Sequence, residues 1–109
     1  MAYRALMVLR MNPADAPHVA AAFAEHDETV LPREIGVRRR VLFRFHDLYM
    51  HLIEADDDIM DRLYRARSSA LFQQVNERVG RFLTPYDAAW KELKDSRAHI
   101  FYTWEADTP

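Results

Sequence analysis

Cysteine is absent from the 109 residues, which excludes disulfide frameworks, thiolate nucleophiles and cysteine-based zinc sites. Glycine occurs only at Gly36 and Gly80, so there is neither a glycine-rich phosphate loop nor a flexible Gly/Ser linker. No sign of charge dominates: 15 Lys and Arg against 17 Asp and Glu leave a formal net charge of −2. That balance argues against a general nucleic-acid binder. Long hydrophobic runs are missing too. The N-terminal apolar stretch is interrupted by Arg4 and closed by Arg10, too short for a signal peptide or a membrane span. A cytoplasmic protein with no membrane partner is expected.

Half of the residues are hydrophobic and 29 % are charged, the composition of a chain that folds. Without repeats or linkers it reads as one domain over residues 1–109, with an ordered core of about 2–105. A chain of this size buries roughly two-thirds of the surface it exposes when unfolded, so a partner subunit adds much to its stability.

Ala2 to Met11 is apolar on both parities, as expected of a strand buried on both faces. Asn12-Pro13-Ala14-Asp15 then supplies a capping side chain, a proline for the first helical position and an acid for the first turn. The helix that follows carries Val19, Ala22, Phe23 and His26 on one stripe and ends before Pro32. Glu34 to Phe45 alternates with period two, placing Ile35, Val37, Val41, Phe43 and Phe45 on one face and Arg38, Arg40, Leu42 and Arg44 on the other. With His46-Asp47 as the whole loop, Leu48 to Ala55 pairs back so that Leu42 faces His51 and Arg40 is its diagonal neighbour. His-Asp is a poor match to tight-turn chemistry, so a one-residue slip, which would turn His51 to the other face, stays open. Asp56-Asp57-Asp58 opens a helix with Ile59, Met60, Leu63 and Tyr64. A calcium loop would need a glycine and a later glutamate that are missing. After a break at Ser68-Ser69, Leu71, Phe72, Val75, Val79 and Phe82 form another amphipathic helix. Tyr86 and Trp90 fall on an irregular or short helical segment. Arg97 to Trp104 is expected to be the last strand and Glu105 to Pro109 a frayed tail. The order βαββαβ closes as an α+β fold, a four-stranded antiparallel sheet with helices on one face. The other face is also apolar, and a homodimer packing sheet on sheet would cover it.

Five histidines occur, and only His26 and His51 fall on inward positions. His18 and His46 read as surface groups, and His99 could take either side of the last strand. A single histidine on an apolar face is ordinarily a hydrogen-bonded core residue. Grouping changes the reading, because His26, Arg40 and His51 converging under one helix cost desolvation energy, and such clusters concentrate at functional sites. No metal is expected: the histidine spacing is wrong, and an arginine in the same place repels a dication. Alternate arginines in Arg38-Arg39-Arg40 point to opposite faces, so the run makes no continuous basic patch. Arg39 is expected at a subunit contact or at the rim. Phe23, Tyr64, Phe72 and Trp90 would roof the site and bind a flat, polyoxygenated substrate, although ordinary core packing also accounts for Phe23 and Phe72. Histidine removes protons beside a carbonyl near neutral pH, and arginine stabilises the enolate that results.

The segments Met1 to Met11, Ala22-Phe23-Ala24-Glu25-His26-Asp27, Ile35 to Phe43 and His46 to Leu52 resemble the tetracenomycin-type aromatic polyketide cyclases, in order and over Met1 to about Trp104. The resemblance implies a dimeric ferredoxin-like fold. It also implies a cofactor-free, late aldol-type ring closure with loss of water on a partly cyclised aromatic polyketide, in antibiotic-type secondary metabolism. Other polyketide synthase components are possible partners. The family's site residues fall here on His26, Asp27, Arg40 and His51, and Asp27 enters mainly through the resemblance. Ala70 stands where the family commonly has proline, which predicts a less sharp join between the two later helices. Two rival functions share these residues: a cofactor-free oxygenase acting on a polyphenolic polyketide, and a non-catalytic subunit that shields a reactive polyketide.

Overall fold

The computed structural model describes residues 3–106. Four antiparallel strands, β1 (Tyr3–Met11), β2 (Val37–Phe45), β3 (Leu48–Ala55) and β4 (Leu83–Pro85), lie in the order β2-β3-β1-β4. Helices α1 (Ala16–Asp27), α2 (Leu31–Ile35), α3 (Met60–Ala66) and α4 (Ala70–Gly80) complete a ferredoxin-like α+β fold. Alternate residues of β1 and β3, among them Ala5, Met7, Tyr49, His51 and Ile53, are buried beneath Val19, Phe23, Leu63 and Val75 of the helices. Ala2, expected to start the first strand, lies outside the described residues.

Local chemistry explains most element boundaries. The Asn12 side chain accepts from the Ala14 amide at 3.0 Å, and a 3-10 turn over Pro13–Asp15 feeds into α1. The expected strand start at Glu34 is corrected: Glu34 and Ile35 close α2, whose first turn takes Pro32 without losing a hydrogen bond. Gly36 ends that helix at φ 106°, a conformation open to glycine at little cost. A Cβ there would sit 3.0 Å from Arg62 Nη2 and 3.3 Å from Ile59 Cγ2. Gly36→Ala is therefore expected to destabilise the protein by about 1–3 kcal/mol, read as a lower urea midpoint with an unchanged slope. An unchanged midpoint contradicts this account.

A bulge between Val37 and Arg39 changes the register. It corrects the face assigned to Val37, which packs with Ala55, Ile59 and Leu63 on the helix side and not with Val41 and Phe43; Ile35 joins the same cluster from α2, not from the strand. Beyond the bulge the pairing is as expected, Leu42 opposite His51 and Arg40 opposite Ile53. No slip occurs. His46 adopts φ 53° to close the two-residue loop. Asp47 latches it to β1, its carbonyl accepting from the Met11 amide at 2.8 Å and its carboxylate from Arg10 at 2.9 Å.

Asp58 accepts from the Met60 amide at 2.9 Å at the start of α3. Ser69 accepts from the Phe72 amide at 3.2 Å and caps α4. Three residues, Arg67 to Ser69, join α3 to α4, and the Ser69 cap marks the start of α4 where Ala70 follows in place of a proline.

The last strand is the principal correction. The fourth strand is Leu83–Pro85, too short to show alternation, and residues 97–104 form no strand. They meet β1 at a bridge between Met7 and Arg97, at the Ala98 amide, which donates to Leu6 O at 2.7 Å, and where the Arg97 guanidinium lies 5.5 Å from the centre of the Tyr3 ring. Beyond that point His99 is exposed, and Phe101 is 98 % and Trp104 71 % exposed. A strand-like pattern needs a partner to become a strand, and the described chain offers this segment none. The sheet face away from the helices carries Leu6, Val8, Val41 and Leu52 half-buried and Phe43 exposed. Glu54 is buried on that face between Arg4 at 3.3 Å and Arg39 at 3.4 Å. Arg39 thus finds its acid within its own chain.

Candidate active site

Arg40 is the hub of the site. Its Nε donates to both carboxylate oxygens of Asp27, at 3.1 and 3.0 Å, and its Nη2 donates to Oδ1 at 2.8 Å. Nη1 lies 2.8 Å from His51 Nε2. A guanidinium has no acceptor to offer, so Nε2 must carry the lone pair and the ring proton must sit on Nδ1. The guanidinium also lies 4.7 Å from the centre of the Phe23 ring. Only 10 % of the Arg40 side chain is exposed, against 39 % of Asp27.

Three elements bring these groups together. Helix α1 supplies Phe23, His26 and Asp27, strand β2 Arg40 and strand β3 His51. His26 and Phe23 are three apart on one helix stripe, while Asp27 is one residue on and faces the solvent rim, where it can meet Arg40 from above. Phe23 contacts His51 edge to face at 5.0 Å and His26 at 6.5 Å. Tyr49, two residues before His51 and so on the same face of β3, stands 6.1 Å from its ring.

Both imidazoles are held neutral. Burial and then the Arg40 charge lower the His51 pKa to about 3. His26 is lowered by burial and by Arg40, with Asp27 opposing. Burial raises the Tyr49 phenol, so it stays protonated. The site therefore holds one positive guanidinium, one carboxylate at its rim, two neutral imidazoles and a phenol.

Arg40, both imidazoles and Tyr49 border a chamber of about 140 Å³ under α1 and α4, lined in addition by Phe72, Asn76 and Leu93, while Asp27 stands behind Arg40 outside the lining. Of the aromatic residues expected as a roof, Phe23 and Phe72 line this chamber. Trp90 lines an adjoining hollow, and Tyr64 lines neither. The ring of Tyr64 instead supports the Arg67 guanidinium at 5.0 Å. Tyr49, Asn76 and Leu93 were not among the expected site residues. Tyr49 was legible from its parity with His51, whereas Leu93 arrives from a distant 3-10 turn that no local pattern ties to the site. Among the described residues no three His, Asp or Glu side chains gather as a metal-binding group, and no helix is long and apolar enough to cross a membrane.

A helix-roofed antiparallel sheet with two imidazoles and a carboxylate-held guanidinium at one chamber defines the class: a ferredoxin-like protein with a polar, aromatic-lined internal site. Residues 3–105 match the polyketide synthesis cyclase family, and the chain belongs to it. It is 80 % identical over 106 residues to tetracenomycin F2 cyclase of Streptomyces glaucescens, covering 97 % of each chain. It is 33 % identical over 106 residues to the polyketide synthase CurG of Streptomyces cyaneus, covering 96 % of this chain and 99 % of the other. The solved structure of tetracenomycin F2 cyclase, described as a type II polyketide cyclase, superposes with a TM-score of 0.93 over 96 % of this chain and 99 % of that one. A structure from Caulobacter crescentus described as a putative antibiotic biosynthesis monooxygenase shares the fold at a TM-score of 0.52 and 20 % identity, over 73 % of this chain and 76 % of its own.

Proposed function

We propose that this chain closes a further ring on a partly cyclised aromatic polyketide by aldol-type condensation followed by loss of water, a late step of antibiotic-type biosynthesis. The observation that carries the reading is the Arg40 guanidinium divided between Asp27 and the lone pair of His51 at the wall of an aromatic chamber. The reaction forms one carbon–carbon bond and expels one water with no net oxidation, so it requires no redox cofactor. His51 takes a proton from an acidic methylene, and Arg40 stabilises the enolate oxygen. Without substrate, Arg40 occupies the His51 lone pair and depresses its basicity. A substrate oxygen that accepts from Arg40 releases Nε2 and offsets the positive charge, so the base strengthens where carbanion charge develops. Asp27 holds the guanidinium in place. His26 orients the substrate or returns the proton that lets water depart.

The test is incubation of purified protein with partly cyclised aromatic polyketides, read by mass spectrometry, for wild type and for His26→Ala, Arg40→Ala and His51→Ala. Loss of one water, with product ratios altered in the variants, is expected. A gain of oxygen with dioxygen uptake overturns the reading in favour of an oxygenase, and tight binding without turnover in favour of a shielding subunit.

The functional unit in this reading is a homodimer in the cytoplasm. The apolar sheet face with Phe43, and the exposed Ile100, Phe101, Tyr102 and Trp104, support it, since a single chain leaves both in water. Deleting residues 99–109 is expected to shift the sedimentation of the protein at micromolar concentration from dimer to monomer. A truncated chain that still sediments as wild type removes the tail from the contact.

A further inference from the structure

The chamber beside His51 is too small for a polycyclic guest. Its 140 Å³ is close to the roughly 150 Å³ void that holds one benzene ring. A second hollow of about 300 Å³ adjoins it, and Leu9, Phe72, Asn76 and Leu93 line both. Joined across those four residues, the two spaces reach the range of about 300–1,000 Å³ typical of small-molecule sites.

The two spaces differ in chemistry. The outer hollow has Trp90 as its flat wall and Arg67, Lys91 and Glu92 among its charged lining residues. Glu92 is already engaged, by Lys94 at 3.1 Å. Arg67 and Lys91 have no carboxylate within ion-pair distance among the described residues, and Arg67 is backed by the Tyr64 ring. The groove between α1 and α4 also borders the chamber, at His26 and Val75, but its charges are matched: Arg78 pairs with Glu25 at 2.8 Å and Arg81 with Glu77 at 3.5 Å. Of these two neighbours, the outer hollow combines continuity with the chamber through four shared residues, an aromatic wall and uncompensated positive charge.

We propose that this outer hollow is the second half of the substrate site and takes the anionic end, a carboxylate or an ionised phenol, of a polycyclic aromatic guest. The guest lies on Trp90 and is held by Arg67 and Lys91, while one ring passes Phe72 and Asn76 to reach Arg40 and His51. The proposal rests on the functional reading above and adds the substrate's charge and orientation. Both cations are solvent-facing, so each contributes modestly and in a salt-dependent way.

The test is equilibrium titration with three ligands: a dihydroxyanthraquinone, its carboxylic acid and the methyl ester of that acid. Wild type is expected to bind the acid about tenfold more tightly than the ester, and the Arg67→Ala/Lys91→Ala double variant to lose most of that preference while binding the ester as before. If the anion is an ionised phenol, the parent quinone instead gains affinity as pH rises through its phenol pKa, and the double variant loses that gain. Asn76→Trp, which fills the neck, is expected to weaken all three ligands and to spare a single-ring resorcinol. If neither the acid preference nor the pH-linked gain depends on Arg67 and Lys91, the proposal is wrong. Failure of wild type to bind any of the three also overturns it. Should these results hold while turnover shows no loss of water, the anionic subsite stands and the cyclase reading falls, so the two are separable.

Discussion

Arg40→Ala is expected to lower kcat/KM for ring closure by about 100-fold, the cost of removing one preorganised oxyanion donor, and to increase the share of aberrant products. The geometry explains why one residue should matter this much. Its guanidinium is fixed by three contacts to Asp27 and one to His51 and rests on Phe23, so little reorganisation remains when charge develops on a substrate oxygen. Alanine removes the donor and also the charge that, after burial, further lowers the basicity of His51. Arg40→Lys should recover part of the rate only. An ammonium restores charge but cannot grip Asp27 from two nitrogens and reach His51 at once. Steady-state kinetics with product analysis, on variants whose circular dichroism matches wild type, checks this. An Arg40→Ala protein with wild-type rate and product ratio would remove Arg40 from the mechanism.

The second large effect is on stability in acid. His51 has a pKa of about 3 in the folded protein, against about 6.5 in an unfolded chain. Above pH 6.5 neither state binds a proton there, and the folded state keeps its full advantage. As pH falls below 6.5 the unfolded chain is protonated and the folded one is not, so stability declines until the folded group titrates near pH 3. By pH 4 this single group costs on the order of 3 kcal/mol. The lowered pKa of His26 acts in the same direction. Urea denaturation between pH 7.5 and 4 should therefore show a steep loss for wild type and a shallower one for His51→Gln, whose amide oxygen can still accept from Arg40. Equal slopes for the two proteins would show that His51 is not the buried neutral base described above.

Much of this site could be read along the chain. His26 follows from a helix stripe, and Arg40 and His51 follow from hairpin arithmetic that a two-residue loop makes almost automatic. The bulge at Val37/Arg39 could have spoiled that arithmetic, but it lies outside the segment between Arg40 and His51. It reversed only the face of Val37. Asp27 was less legible. On its helix it points to the rim, and only a guanidinium rising from β2 turns a surface acid into part of the site.

Periodicity and capping chemistry by themselves determined the first helix, the central hairpin, the break at Ser68-Ser69 and the inward set of His26, Arg40 and His51. Each of these depends on residues a few positions apart. Tertiary structure alone decided that Leu83–Pro85 supplies the fourth strand, that residues 99–104 pair with no strand among the described residues, and that Leu93 and Asn76 join the chamber to its outer hollow. Those outcomes hinge on which distant surfaces meet. A strand is defined by a partner's hydrogen bonds and a cavity by what fails to fill it, and neither quantity belongs to any local stretch of residues.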